Sequence, residues 1–113
     1  MNGNKPDVTD EDIGMRTFEI RKERAVERAV ERMRRGLGDY WNRLTQTEIE
    51  LLSWSLGELW AFEDRADWEN LHFSKVSGRD VRAILGLAKE LAARTRPTVD
   101  LLKDIEQVVY QRS

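Results

Sequence analysis

Few side chains in this sequence have the type and spacing that catalysis or metal binding requires. His72 is the sole histidine, with Asp64, Asp67 and Glu69 close by in EDRADWENLH. A metal or general-base reading would recruit those carboxylates, but one imidazole among scattered acids has no recognised ligand spacing. The ordinary reading, a partly buried loop histidine, is the better one. Glu63 and Asp64 are neighbours whose side chains point apart, so paired acid and base work is unsupported. Ser53, Ser55, Ser74 and Ser77 fall in helical or capping contexts, without the G-x-S-x-G turn that presents a nucleophile. There is no G-x-x-x-x-G-K-[ST] phosphate loop. With no cysteine, the chain has no thiolate, disulfide or thiolate metal site. The residues therefore predict no enzyme activity, no metal and no cofactor.

The chemistry that remains is recognition. Trp41, Trp54, Trp60 and Trp68 are large anchors for a core or an interface. Two of them lie in TQTEIELLSWSLGELWAF, Thr45 to Phe62, around which the chain is organised. At 100° per residue, Ile49, Leu52, Leu56, Leu59 and Trp60 form one stripe, while Leu51, Trp54 and Phe62 fall on the opposite side around Glu58. A helix apolar on two sides is either the centre of a bundle or carries a second stripe for a partner. The predicted partner-binding surface is Leu51, Trp54 and Phe62 with an acidic rim of Glu50, Glu58, Glu63 and Asp64. The partner would be another protein or a second copy of this chain.

A nucleic-acid alternative rests on KVSGRDVR, Lys75 to Arg82. A turn followed by a capped helix that offers Lys75, Arg79 and Arg82 near its start resembles the recognition helix of helix-turn-helix regulators in bacteria. Against it, the preceding loop is acidic and would face phosphate unfavourably. Ser77, Gly78, Arg79, Asp80 and Val81, with Ala88 and Ala92 beyond, are also similar to the last part of the helical lid of AAA+ ATPases. That resemblance runs from Val76 to Val109. The phosphate loop and catalytic acids of that family are absent, so it implies no ATPase activity.

The elements that must position these residues are all helical. Residues 1–8 predict a disordered tail, and 9–113 a single helical domain. Thr9 or Asp10 can cap a long helix over about 10–35, rich in alanine, glutamate and arginine. Met15, Phe18, Ala25, Ala29 and Met33 give it one narrow stripe, joined by Val26 and Val30. Glu19, Glu23, Glu27 and Glu31 run beside Arg24, Arg28 and Arg32, and Arg24 with Glu27 and Arg28 with Glu31 are opposite charges three apart. A narrow seam with charged flanks suits a helix on its own bundle, or a homodimer through residues 15–35. Arg34, Arg35 and Gly36 predict its end, with a short turn from Asp39 to Leu44.

Thr45 and Glu48 have capping-box spacing and start a helix over 46–62. Trp68, Leu71 and Phe73 can pin the acidic connection that follows, in which Asp67 to Leu71 can form one turn. Ser77 and Asp80 open a helix over 78–94 that buries Val81, Ile84, Leu85, Ala88, Leu91 and Ala92. Pro97 ends it and Thr98 caps a last helix over 98–111, buried through Val99, Leu102, Ile105 and Val109. The prediction is an all-α bundle of four main helices with one or two short turns.

The 113 residues are 35% charged and 40% hydrophobic, enough for one core under a dense charged surface. The net charge of −2 conceals segregation. Residues 1–15, 16–44, 45–74 and 75–113 carry −3, +4, −6 and +3, so the acidic block coincides with three of the four tryptophans. No apolar run is long enough to span a bilayer, and a cytoplasmic, non-membrane protein is expected.

Overall fold

Local capping chemistry marks two of the helix starts. The Glu48 backbone N–H donates to Thr45 Oγ1 at 3.1 Å, and the Thr45 N–H donates to Glu48 Oε1 at 2.9 Å. Ser77 and Asp80 make the same reciprocal pair at 3.1 and 3.0 Å. Each box satisfies two backbone donors that a helix start would otherwise leave without partners. The computed structural model describes residues 10–62, 68 and 71–110, with side chains from residue 16 onward. Among them are four helices and no strand: α1 Asp10–Leu37, α2 Gln46–Phe62, α3 Gly78–Ala93 and α4 Thr98–Tyr110. Short 3₁₀ segments occupy Gly38–Arg43 and Phe73–Lys75. The all-α bundle follows as predicted; the tail at 1–8 and the Met15 side chain lie outside the described residues.

Helix α2 is the centre, packed by α1, α3 and α4. Its Leu52, Leu56 and Leu59 have no exposed surface, and truncating any one to alanine would cost about 2–5 kcal/mol. Met33 from α1, Val81 and Ile84 from α3, and Leu101, Ile105 and Val109 from α4 close the core around them. Helices α1 and α2 run antiparallel, since Phe18 near the start of one packs at a tilt against Trp60 near the end of the other, ring centroids 5.1 Å apart. The one polar side chain of α2 that is fully buried, Ser55, donates its hydroxyl to the Leu52 carbonyl at 2.9 Å.

The connection between α2 and α3 is fastened to α1 as Trp68, Leu71 and Phe73 suggest. All three are buried. The Trp68 indole N–H donates to the Ala25 carbonyl at 3.3 Å, and Arg32 Nη2 donates to the Leu71 carbonyl at 2.8 Å. The Arg32 guanidinium also lies 5.4 Å from the Phe73 ring centre. Of the turn expected at Asp67 to Leu71, all but Trp68 and Leu71 lies outside the described residues.

Four boundaries or burials differ from expectation. Helix α1 passes through Gly36 and stops at Leu37, because Gly36 lies against the Ser74 backbone while Gly38, at φ +57°, makes the turn. Pro97 rather than Thr98 takes the capping position, its carbonyl accepting from the N–H of Asp100 and Leu101. Val99 is exposed, standing about a third of a turn from the buried stripe of α4. Ala92 keeps to the apolar face of α3 but falls in its last turn, where no neighbour covers it. That helix ends with Arg94 in the left-handed conformation at φ 55°, and the Thr95 N–H closes the end by donating to the Glu90 carbonyl at 3.1 Å.

A Cβ at Gly36 would stand 2.2 Å from the Ser74 carbonyl oxygen, backbone that can yield only by lifting the connection off α1. Gly36→Ala should therefore destabilise the fold by about 2–3 kcal/mol despite alanine's better helix propensity. Gly86→Ala, where nothing lies within 4 Å, should stabilise by up to about 1 kcal/mol. Urea denaturation midpoints of the two variants decide this, and the same sign for both would contradict the packing at Gly36.

Candidate functional site

Two antiparallel helices leave a furrow along their line of contact, and what lines it depends on how wide each apolar stripe is. On α1, Val26 and Val30 flank the fully covered Ala25, Ala29 and Met33 and are only half-buried. On α2, Ser53 and Gly57 face them with little side-chain volume, Gly57 lying close enough that an added Cβ would meet Val26 Cγ2 at 3.7 Å. A groove of about 800 Å³ results, floored by Val26, Val30, Ser53 and Gly57. Ile20 on the α1 side and Trp54 on the α2 side edge it, 48% and 42% exposed.

The rim is acidic. Glu19, Glu23, Glu27 and Glu31 from α1 and Glu58 from α2 line the groove against two cations, Arg16 and Lys22. Lys22 is paired with Glu19 at 3.2 Å. Glu31 turns forward to Arg34 and Arg35, accepting from their Nε atoms at 2.9 Å each. Hydrogen bonds from Arg34, then Arg35, hold the Glu31 carboxyl at about 2, down from its ordinary 4.5. The pairing of Glu31 is thus with the end of α1 and not with Arg28 as expected. Glu23, Glu27 and Glu58 make no ion pair among the described residues.

The predicted docking residues divide. Trp54 and Glu58 line the groove; Phe62, 39% exposed, lies outside it, and Leu51 is half-buried against the core. Glu50 is exposed and accepts from Gln46 Nε2 at 3.3 Å. Glu63 and Asp64 lie outside the described residues. The wall supplied by α1 was not foreseen. Its signal is present in the sequence: Ile20 interrupts the charged side of α1, and Val26 and Val30 widen a stripe beyond what one neighbour covers. Among the other tryptophans, Trp60 and Trp68 are buried and Trp41 is half-buried.

The residues considered for nucleic acid do not form a free set. Arg82 Nε donates to the Tyr40 hydroxyl at 2.9 Å, and its Nη1 bonds Glu48, the carboxylate that already caps α2. Arg82, although still exposed, therefore ties α3 to the start of α2 and to the 3₁₀ segment. Lys75 and Arg79 are exposed. His72 is half-buried, and no group of three histidine or acidic side chains among the described residues is placed to hold a metal. Asp64, Asp67 and Glu69 lie outside those residues.

The paired carboxylates make stability depend on pH. Glu31 has a folded pKa below its unfolded one, and Glu48 is likewise lowered, first by the Thr45 N–H and then by Arg82. Each contributes stability that is complete above the unfolded value and is lost as pH falls; for Glu31 the window runs from 4.5 down to about 2. Urea midpoints measured between neutral pH and pH 2 should fall through that window in the native chain. The fall should be shallower in Glu31→Gln and in Glu48→Gln; an unchanged profile in both would contradict these pairings. No protein-family model matches the chain, and no characterised protein or solved structure is significantly similar to it.

Proposed function

We propose that this chain is a non-enzymatic helical docking protein, an adaptor or regulator that works in the cytoplasm by seating another protein on the α1 and α2 groove. The observation that carries the reading is the pairing of Trp54 and Ile20, both more than two-fifths exposed, across an apolar floor. A tryptophan held open beside an 800 Å³ groove is the kind of residue that supplies most of an interface's binding energy. Of the other residues predicted for this surface, Phe62 and Glu58 continue the same side of α2. No helix among the described residues is long and apolar enough to cross a membrane.

A second copy of the chain is one candidate partner, through the exposed flank of α1. The DNA reading has less support, since Arg82 is engaged by Tyr40 and Glu48, while among the described residues Lys75 and Arg79 have no such bonds. Duplex binding at low salt that Arg79→Ala abolishes would favour it.

Trp54→Ala should leave folding stability within about 1 kcal/mol, because the side chain is far from fully buried. It should weaken partner binding at least about tenfold, the range expected of an interface anchor. Crosslinking and mass spectrometry of the tagged chain in its native host, with light scattering on the purified protein, give the comparison. Unchanged partners and unchanged oligomeric mass in a folded Trp54→Ala variant would remove this surface from consideration.

A further inference from the structure

We infer that the occupant of the groove is an amphipathic helix whose apolar stripe is flanked by lysine or arginine, an inference that rests on the docking reading above. Three features of the groove converge on it. The first is backbone bookkeeping: the groove is walled by side chains of two complete helices and offers no strand edge. An extended segment laid there would bury N–H and C=O groups without partners, whereas a helix arrives with its own satisfied.

The second is shape. The α1 wall runs from Arg16 to Glu31, about 22 Å at 1.5 Å per residue, or roughly four helical turns. Opposite it, Ser53 and Gly57 keep the α2 side low, so a third helix can settle between Ile20 and Trp54 with its ridge in the furrow. The third is charge. Glu23 and Glu27 stand one turn apart on one wall and Glu58 stands on the other, none neutralised by a cation among the described residues. Like charges four apart repel, so cations brought by the occupant relieve that repulsion as well as pairing across it. A second copy meeting the site groove to groove would instead set one acidic rim on another.

The test uses the full chain and three labelled synthetic helices of about 16 residues, four turns long. One carries a leucine stripe flanked by lysines, one the same stripe flanked by glutamates, and one the lysines with serines in place of leucines. Fluorescence anisotropy should show binding of the first alone. Its Kd should rise about tenfold between about 50 and about 500 mM salt, and about tenfold in the combined Glu23→Gln, Glu27→Gln, Glu58→Gln variant. Trp54→Ala should abolish the interaction. Those three glutamates make no ion pair among the described residues, so circular dichroism should show the variant folded.

Equal binding of the glutamate-flanked helix, still dependent on Trp54, would overturn the charge assignment while leaving a docking groove. Binding of none of the helices would overturn the helical occupant; the docking reading would then be decided separately by the Trp54-dependent partners. A dimer in light scattering that Trp54→Ala dissociates would make the occupant a second copy and overturn the inference.

Discussion

The apolar perimeter of α2 is the constraint on which the rest of the molecule depends. Leu52, Leu56, Leu59 and Trp60 must be removed from water, and α1, α3 and α4 are arranged to do so. A helix of ordinary width has room for only a few neighbours at 8–10 Å spacing. Three neighbours leave one side open, and on that side stand Trp54 and Phe62. The central helix is therefore both the inside of the bundle and part of its outer surface.

Where α1 lies on α2 is set by a second group of contacts. Trp68 and residues 71–75 lie over α1, with Trp68 and Arg32 making the joins through backbone carbonyls. Phe73 is buried there, and Gly36 permits the approach to Ser74. These bonds lie on the face of α1 that looks away from the groove. Holding α1 there turns Val26, Val30 and Ile20 toward α2, so a clamp on one side of the helix shapes the cleft on the other. Arg82 does comparable work at the far end, joining Tyr40 and the capping carboxylate Glu48. Gly78 leaves room for the Tyr40 ring, since a Cβ there would approach it to 2.7 Å.

Much of this was legible residue by residue. The capping boxes at Thr45 and Ser77 are local: each needs only four residues and forms as its spacing implies. The buried stripes of α2, α3 and α4 follow from 3.6-residue periodicity, with errors only at Ala92 and Val99, near an end and a start. The groove was half legible. Trp54 and Glu58 face where the helical projection puts them, but Leu51 is drawn partly into the core and the α1 wall went unseen. Periodicity shows which residues share a face, not which neighbour covers that face or where the cover stops. The charges show the same limit: Glu31 has arginines at spacings of three on both sides, and the end of α1 captures it.

From its sequence alone, this chain is an all-α protein with marked helix starts, an overfull central helix and no recognisable catalytic set. Those properties live in stretches of a few residues to a few turns, where spacing and side-chain type are sufficient. Only the tertiary arrangement decides that Arg82 is tied to Tyr40 and Glu48, that Gly36 is a contact point as well as a stop, and that Ile20 and Trp54 share one groove. These pairs are separated by about 34 to 42 positions. Their meeting depends on how four helices divide a common core, a sum over many contacts that no local pattern contains.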